Sequence, residues 1–167
     1  MSMVNIHASC IVLADAAKAF GAPEDAGILL LGESGRGKSD LALRLIERGA
    51  QLVADDRVEM FIQNRALFAR APKSLAGLLE VRGLGVLALP FRAEARVALA
   101  VEMIEEGYVP RMPQPEKYVT PPELALNEDE RPPLLWLAPL EASAPAKILL
   151  AAAAFSKALF REHRNPQ

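Results

Sequence analysis

Short apolar runs separated by glycine, proline and charged residues give this chain an alternating pattern of predicted strands and helices. Ile6 to Leu13 is apolar with few breaks and predicts a first strand, and Gly27 to Leu31 predicts a second, buried strand. From Ser39 to Arg48 the apolar residues recur on one helical face, and Gly49 follows where a left-handed helix cap is expected. A buried strand leading into a helix favours an α/β fold.

Alternation and turn residues predict the remaining strands. Every second residue from Val97 to Met103 is a large apolar one, which predicts that Arg96 to Ile104 forms a strand with one buried face. Gln63-Asn64-Arg65 is typical of a hairpin turn. The other predicted strands are Gln51 to Ala54, Arg57 to Ile62, Ala66 to Ala69, Leu78 to Val81, Val86 to Leu89 and Leu134 to Leu140.

Three segments fall outside this pattern. Ala14 to Asp25 is a connection with a short helical turn over Asp15 to Phe20. Gly107 to Pro133 carries seven prolines and is predicted to be an irregular surface excursion, because it lacks the apolar residues for a core of its own. Pro145 suits the start of a terminal helix that is expected to reach about Arg164, with Arg161, His163 and Arg164 complementing its dipole.

Composition limits the function classes. With 167 residues, 51% of them hydrophobic and 24% charged, we expect residues 1–167 to form one globular domain with a mixed sheet. A net charge of −2 gives no general attraction to nucleic acid or to an anionic membrane, and no apolar run reaches the ~18 residues of a membrane span. Cys10 is the only cysteine, which excludes an internal disulfide. A signal peptide is also not recognisable, so we expect a cytoplasmic protein.

One segment carries a strong chemical signal. Between the second strand and the first helix, Gly32-Glu33-Ser34-Gly35-Arg36-Gly37-Lys38-Ser39 fits G-x-x-x-x-G-K-[ST], the phosphate-binding loop. Glycines let backbone N–H groups point at phosphate oxygens, Lys38 reaches the β- and γ-phosphates, and Ser39 supplies a hydroxyl to Mg²⁺. A chance match in a glycine-rich turn would lack the flanking strand and helix. The motif therefore predicts binding of ATP or another nucleoside triphosphate with Mg²⁺.

Carboxylates follow at two strand ends. Asp55 and Asp56 end the strand Gln51 to Ala54, and neighbouring residues in extended backbone point to opposite sides, so one can hold Mg²⁺ while the other faces an acceptor. Glu80 is a candidate metal ligand, and Arg82 could bind phosphate through two hydrogen bonds. The plainer interpretations are a solvated Asp-Asp turn and a cross-strand Glu–Arg pair.

The two histidines give weaker signals. His7 lies in the first apolar strand, where a lone histidine is more often a structural residue than a catalytic one. His163 lies in the charged end of the terminal helix and reads as a surface residue.

Together these blocks resemble the catalytic domain of bacterial HPr kinase/phosphorylase. The resemblance rests on the phosphate loop with its inner Ser34-Gly35, on Val53-Ala54-Asp55-Asp56 and on Leu79-Glu80-Val81-Arg82-Gly83-Leu84-Gly85, in the family's order and spacing. It extends from about Ile6 to Leu89. It implies an α/β P-loop kinase domain with a mixed sheet and transfer of the ATP γ-phosphoryl group to a serine of HPr, a small phosphocarrier protein of a phosphotransferase system.

The resemblance also implies residue roles. Asp56 matches the family's proton acceptor, His7 its active-site histidine, Lys38 its phosphate-loop lysine, and Ser39 and Glu80 its Mg²⁺-associated positions. The family also runs a reverse reaction, in which inorganic phosphate attacks the phosphoserine and yields pyrophosphate. Relatives assemble as hexamers, so a homo-oligomer is expected.

The chain departs from the family at three places. The strand with His7 starts almost at Met1, which predicts a catalytic-domain-only form, and Ala14 to Ala26 is longer than the turn expected there. A segment resembling P-V-x-P-G-R, tied to the phosphorylase direction, is replaced by Leu140 to Lys147. Arg111 and Lys117 are the substitutes for a further family arginine, and Lys147 is the only cation in the replaced stretch. We therefore expect a kinase with poor phosphorylase activity.

Two alternatives stay open at the level of sequence. One is a small-molecule kinase or nucleotide hydrolase that shares only the loop; it would need an arginine-rich lid, and Gly107 to Pro133 offers only Arg111 and Arg131. The other is a nucleotide-sensing module without turnover, which would have no need of a proton acceptor at Asp56.

Overall fold

The computed structural model describes residues 1–161, and within them ten strands and two α-helices. The helices are α1 (Lys38–Glu47) and α2 (Ala144–Lys157), and short 3-10 helices lie at Ala14–Ala19, Lys73–Leu75, Glu106–Tyr108 and Glu128–Glu130. The strands are β1 (Met3–His7), β2 (Ser9–Val12), β3 (Ala26–Leu31), β4 (Gln51–Ala54), β5 (Arg57–Gln63), β6 (Ala66–Arg70), β7 (Leu78–Val81), β8 (Gly85–Ala88), β9 (Glu94–Met103) and β10 (Leu134–Leu137).

Eight strands form one mixed sheet, which confirms the predicted α/β class. Its order is β1-β5-β6-β9-β3-β2-β4, and β9 lies parallel to β3. On its other side β9 pairs with β6 along its first residues and with β10 along its last. The strands β7 and β8 form a separate antiparallel hairpin.

The central strands are buried on both faces. In β3, Ile28 and Leu30 face one apolar cluster with α1 and α2, whereas Leu29 faces a second cluster with β5 and β6. Strands buried on both faces read as continuous apolar runs, which is the pattern seen from Gly27 to Leu31. None of the described helices is both long and apolar enough to cross a membrane.

Two strand predictions were wrong in detail. The run Ile6 to Leu13 is not one strand, because β1 pairs with β5 whereas β2 pairs with β3 and β4, and between them the Ala8 N–H donates to the Asp56 carbonyl at 3.2 Å. In β9 a bulge at Ala98 shifts the register, so Val97 faces the second cluster while the later alternating residues face the first. The predicted single buried face is therefore incorrect.

In the C-terminal third, the proline-rich segment and the last strand both differ from prediction. The excursion from Gly107 to Pro133 is irregular as expected, but Leu124 and Leu126 are buried in the second cluster, so it covers one face of the sheet. Strand β10 ends at Leu137, three residues early.

Helix α2 also ends before its predicted limit. Ala158 takes a left-handed φ of +52°, and the Leu159 N–H donates to the Ala154 carbonyl at 3.0 Å. The rings of Phe155 and Phe160 then pack 4.8 Å apart across this turn. The helix therefore stops at Lys157 and Arg161 is not helical, while His163 and Arg164 lie outside the described residues.

Candidate active site

The predicted phosphate loop joins β3 to α1 and leaves an open cradle. Gly35 and Gly37 have φ values of +84° and +97°, and no atom lies within 4 Å of where a Cβ at either position would stand. The Lys38 ammonium donates to the carbonyls of Gly32 at 2.8 Å and Glu33 at 3.0 Å, inside its own loop. Side chains at the two glycines would be strained and would fill the space that the loop encloses.

Asp55 ties three separate segments to the end of β4. Its Oδ1 accepts hydrogen bonds from the hydroxyls of Ser9 at 2.7 Å and Ser39 at 2.8 Å, and its Oδ2 accepts one from the Glu80 N–H at 3.3 Å. The residue is only 4% exposed. Because every one of these partners donates to the carboxylate, Asp55 is held in one orientation beside the first turn of α1.

Asp56 points the other way, toward solvent. It has a left-handed φ of +68°, so the extended backbone assumed from the sequence is incorrect, although the two carboxylates do separate as predicted. Its side chain is 60% exposed, and its Oδ1 lies 3.2 Å from Nδ1 of His7. A non-glycine residue in this region of φ is uncommon and is found at functional sites more often than elsewhere.

One open cleft of about 860 Å³ brings the predicted residues together. Asp55, Gly32 and Glu33 are not on its wall. Residues that the sequence had not indicated do line it, namely Ser9, Ile104, Glu105, Glu106 and the segment 138–141. Of the predicted site residues, the wall includes His7, Ser34, Gly35, Arg36, Gly37, Lys38, Ser39, Asp56, Glu80 and Arg82.

Burial and neighbouring carboxylates have opposite effects on the pKa of Lys38. Burial lowers the pKa of Lys38 from its ordinary value, and the carboxylates of Asp55, Asp56 and Glu102 act against that shift. Burial also raises the pKa of Glu102, against the effect of Lys38. A polyanion in the loop would add negative charge next to the ammonium and stabilise its protonated form.

Sequence reasoning missed several contributors. Ser9 lies fully buried at the start of β2 and was not singled out within the apolar run. Glu102 was not singled out, because it occupies a polar position in the alternating pattern of β9. Arg36, predicted only as a loop residue, reaches Glu33 and Glu105, both at 3.3 Å, and so links the loop to the segment after β9.

The three cations offered as substitutes for the missing arginine lie elsewhere in the described structure. Arg111, Lys117 and Lys147 are not on the cleft wall. Lys147 pairs with Glu141 across the first turn of α2, although residues 138–141 themselves do border the cleft.

A cation site in this cleft would depend on more than protein ligands. No group of three or more His, Cys, Asp or Glu side chains is positioned to hold a metal within residues 1–161. Mg²⁺ commonly binds through one or two protein oxygens plus phosphate oxygens and waters. The Ser39 hydroxyl, with Asp55 behind it and the phosphate loop in front, fits that donor set.

Comparisons with known proteins point to one family. The chain is 43% identical over 93 residues to the HPr kinase/phosphorylase of Leptothrix cholodnii, which is 51% of this chain and 29% of that protein. It is 54% identical over 61 residues to the HPr kinase/phosphorylase of Clostridium beijerinckii, which is 36% of this chain and 20% of that protein. The matched part thus spans less than a third of these relatives' length.

The fold gives an independent likeness. The structure of the Hpr(Ser) kinase/phosphatase from Coxiella burnetii superposes with a TM-score of 0.72 at 22% identity, covering 94% of this chain and 99% of that one. The family model described as the HPr Serine kinase C-terminal domain matches residues 22–106, which include the phosphate loop, both aspartates and the β7–β8 hairpin. The chain therefore belongs to the HPr serine kinase C-terminal domain family.

Proposed function

We propose that this chain is an ATP- and Mg²⁺-dependent serine kinase whose acceptor is an HPr-type phosphocarrier protein of a phosphotransferase system. One observation carries the proposal: a single cleft joins the phosphate loop, backed by the Ser39–Asp55 hydrogen bond, to the exposed Asp56–His7 pair. A site for nucleotide alone would not need the second pair.

The loop side of the cleft serves the nucleotide. Loop amides and Lys38 would bind the phosphates, and Ser39 with Asp55, together with Glu80 at the cleft wall, would hold the cation. The cation, when bound, neutralises charge on the phosphates. Binding in this way positions the γ-phosphoryl group, and positioning together with charge stabilisation accounts for most of the rate enhancement in phosphoryl transfer.

The exposed side serves the acceptor serine. Asp56 accepts the hydroxyl proton at a carboxylate oxygen while the serine oxygen bonds to the γ-phosphorus and the bond to ADP breaks. His7 holds that carboxylate through the 3.2 Å contact. Arg82 is exposed on the same wall, and its proposed role is to bind phosphate oxygens.

The proposal also includes the domain extent, the cellular location and the assembly of the enzyme. We take residues 1–167 as one catalytic unit, cytoplasmic and homo-oligomeric, with neither nucleic acid nor membrane as a partner. A hexamer, the assembly that the family resemblance implies, is the one to test first by light scattering.

One assay tests the kinase proposal against its alternatives. The purified chain is incubated with γ-labelled ATP and HPr-type proteins from the same cell, with and without Mg²⁺. Label on a serine of the carrier, dependent on Mg²⁺, supports the proposal. Free phosphate that is independent of the carrier would instead indicate a hydrolase or small-molecule enzyme, and ATP binding without turnover would indicate a sensing module.

The enzyme is expected to be a poor phosphorylase. Phosphorolysis must hold a free phosphate dianion beside the phosphoserine, and a guanidinium on a tight Pro-Gly turn suits this better than an ammonium. The stretch Leu140 to Lys147 lacks that motif, and Lys147 is paired with Glu141. Pyrophosphate release from phosphoserine-carrier and excess phosphate measures the reaction. A rate close to the forward kinase rate would contradict this expectation.

A further inference from the structure

Ser9 is a buried polar residue whose hydroxyl contacts Asp55. It is 0% exposed, at the first position of β2, and its hydroxyl donates to Asp55 Oδ1 at 2.7 Å. The Ser39 hydroxyl donates to the same oxygen at 2.8 Å. Two hydroxyls from segments 30 residues apart in sequence, Ser9 and Ser39, therefore share one carboxylate oxygen.

The two hydroxyls differ in what else they can reach. Ser39 stands on the cleft wall and can bind a ligand through its lone pairs while its hydroxyl goes on donating to Asp55. Ser9 borders the same cleft but is 0% exposed, so its hydroxyl is committed to the hydrogen bond with Asp55. Without it, a buried carboxylate would lose a charge-assisted hydrogen bond and one of the contacts that fix its orientation.

From this contact we infer that Ser9 is a positioning residue, which fixes Asp55 against the Ser39 hydroxyl and so sets the affinity of the loop for its divalent cation. The inference rests on the proposed function, because it assigns the cation to Ser39. Removing a residue that hydrogen-bonds to a metal ligand typically lowers the metal affinity by about 10–100-fold.

The position of Ser9 in the chain also links the two halves of the site. His7 contacts Asp56, the Ala8 N–H donates to the Asp56 carbonyl at 3.2 Å, and Ser9 donates to Asp55. Three consecutive residues thus hold two consecutive aspartates. The β1–β2 junction, which the sequence had suggested was the middle of one strand, is the segment that fixes both carboxylates.

Direct binding measurements on the full chain test this role. The probe is a non-hydrolysable ATP analogue, and the readout is the Mg²⁺ concentration that gives half-maximal binding. Ser9→Ala is expected to raise that concentration by about tenfold, which is the lower end of the effect seen when a residue that hydrogen-bonds to a metal ligand is removed. Binding of the analogue without Mg²⁺ should stay at the wild-type level. Ser9→Thr, which keeps the hydroxyl, should retain the wild-type Mg²⁺ requirement.

A matched control separates positioning from packing. Thr120 is 7% exposed and donates its hydroxyl to the Leu124 carbonyl at 2.9 Å, away from the cleft, so Thr120→Val removes a comparable buried hydrogen bond. It should lower thermal stability without changing the Mg²⁺ requirement. If Ser9→Ala behaves in the same way, Ser9 is only structural and the inference is overturned.

Three further outcomes are decisive. If Ser9→Ala does not fold, Ser9→Cys replaces it, since the thiol keeps the shape but donates weakly; a wild-type Mg²⁺ requirement in Ser9→Cys would overturn the inference. If the wild-type protein binds the analogue equally well with and without Mg²⁺, the proposed function fails and the inference fails with it. A Mg²⁺-dependent wild type with an unchanged Ser9→Ala overturns the inference alone.

Discussion

Lys38→Ala should abolish phosphoryl transfer to the carrier while the protein stays folded. The ammonium lies inside the loop, hydrogen-bonded to the carbonyls of Gly32 and Glu33, where phosphate oxygens would compete for it. Losing one donor that stabilises transition-state charge costs about 10²–10³-fold in rate, and Lys38 also contributes a full charge to ground-state binding. Labelled-phosphate transfer at several ATP concentrations measures both effects.

A second lysine provides the control for this experiment. Lys73 is exposed in a short 3-10 helix and is not on the cleft wall, so Lys73→Ala should transfer phosphate at the wild-type rate. Circular dichroism of both variants reports whether they are folded. Wild-type transfer by a folded Lys38→Ala protein would remove the basis of the kinase assignment.

Asp56→Asn should lose about 10²–10⁴-fold in turnover, the usual contribution of a general base, while ATP binding stays unchanged. The substitution is a clean one, because asparagine tolerates the left-handed backbone that Asp56 adopts at φ +68° and keeps nearly the same shape. The amide cannot accept the serine proton as a carboxylate does. Single-turnover transfer at saturating ATP isolates this step.

The neighbouring aspartate gives the contrast. Asp55→Asn changes a buried acceptor of three hydrogen bonds, so it should raise the Mg²⁺ requirement and lower the melting temperature. Its turnover should recover at high Mg²⁺, whereas that of Asp56→Asn should not. If Asp55→Asn is the more damaging at saturating ATP and Mg²⁺, the roles of the pair are reversed.

The sequence predicted the loop, its flanking elements and most strands because each depends on local signals. The phosphate loop is a contiguous motif, and Gly27 to Leu31 is an uninterrupted apolar run. What it could not predict depends on distant partners. The bulge at Ala98 follows from pairing with β3, and the burial of Leu124 and Leu126 follows from the sheet face that their segment covers.

The site shows the same division between local and distant information. Asp55 and Asp56 were recognisable as candidates, but which one turns inward depends on the hydroxyls and the N–H that meet it from other segments. Ser9 carried one weak signal, a polar residue between His7 and a strongly apolar run. The role of Ser9 becomes recognisable only once β2 is known to pair with β4, because that pairing brings Ser9 next to Asp55.

The three hydrogen bonds to Asp55 also have a consequence for folding. They join residues 46, 16 and 25 positions apart in sequence, so no short fragment of the chain contains the complete arrangement. Contacts of such long range form only after their loops have closed, which is slow compared with helix formation. Helix α1 can therefore form early, yet a competent loop appears only with the assembled sheet, so a partly folded chain has the motif without the activity.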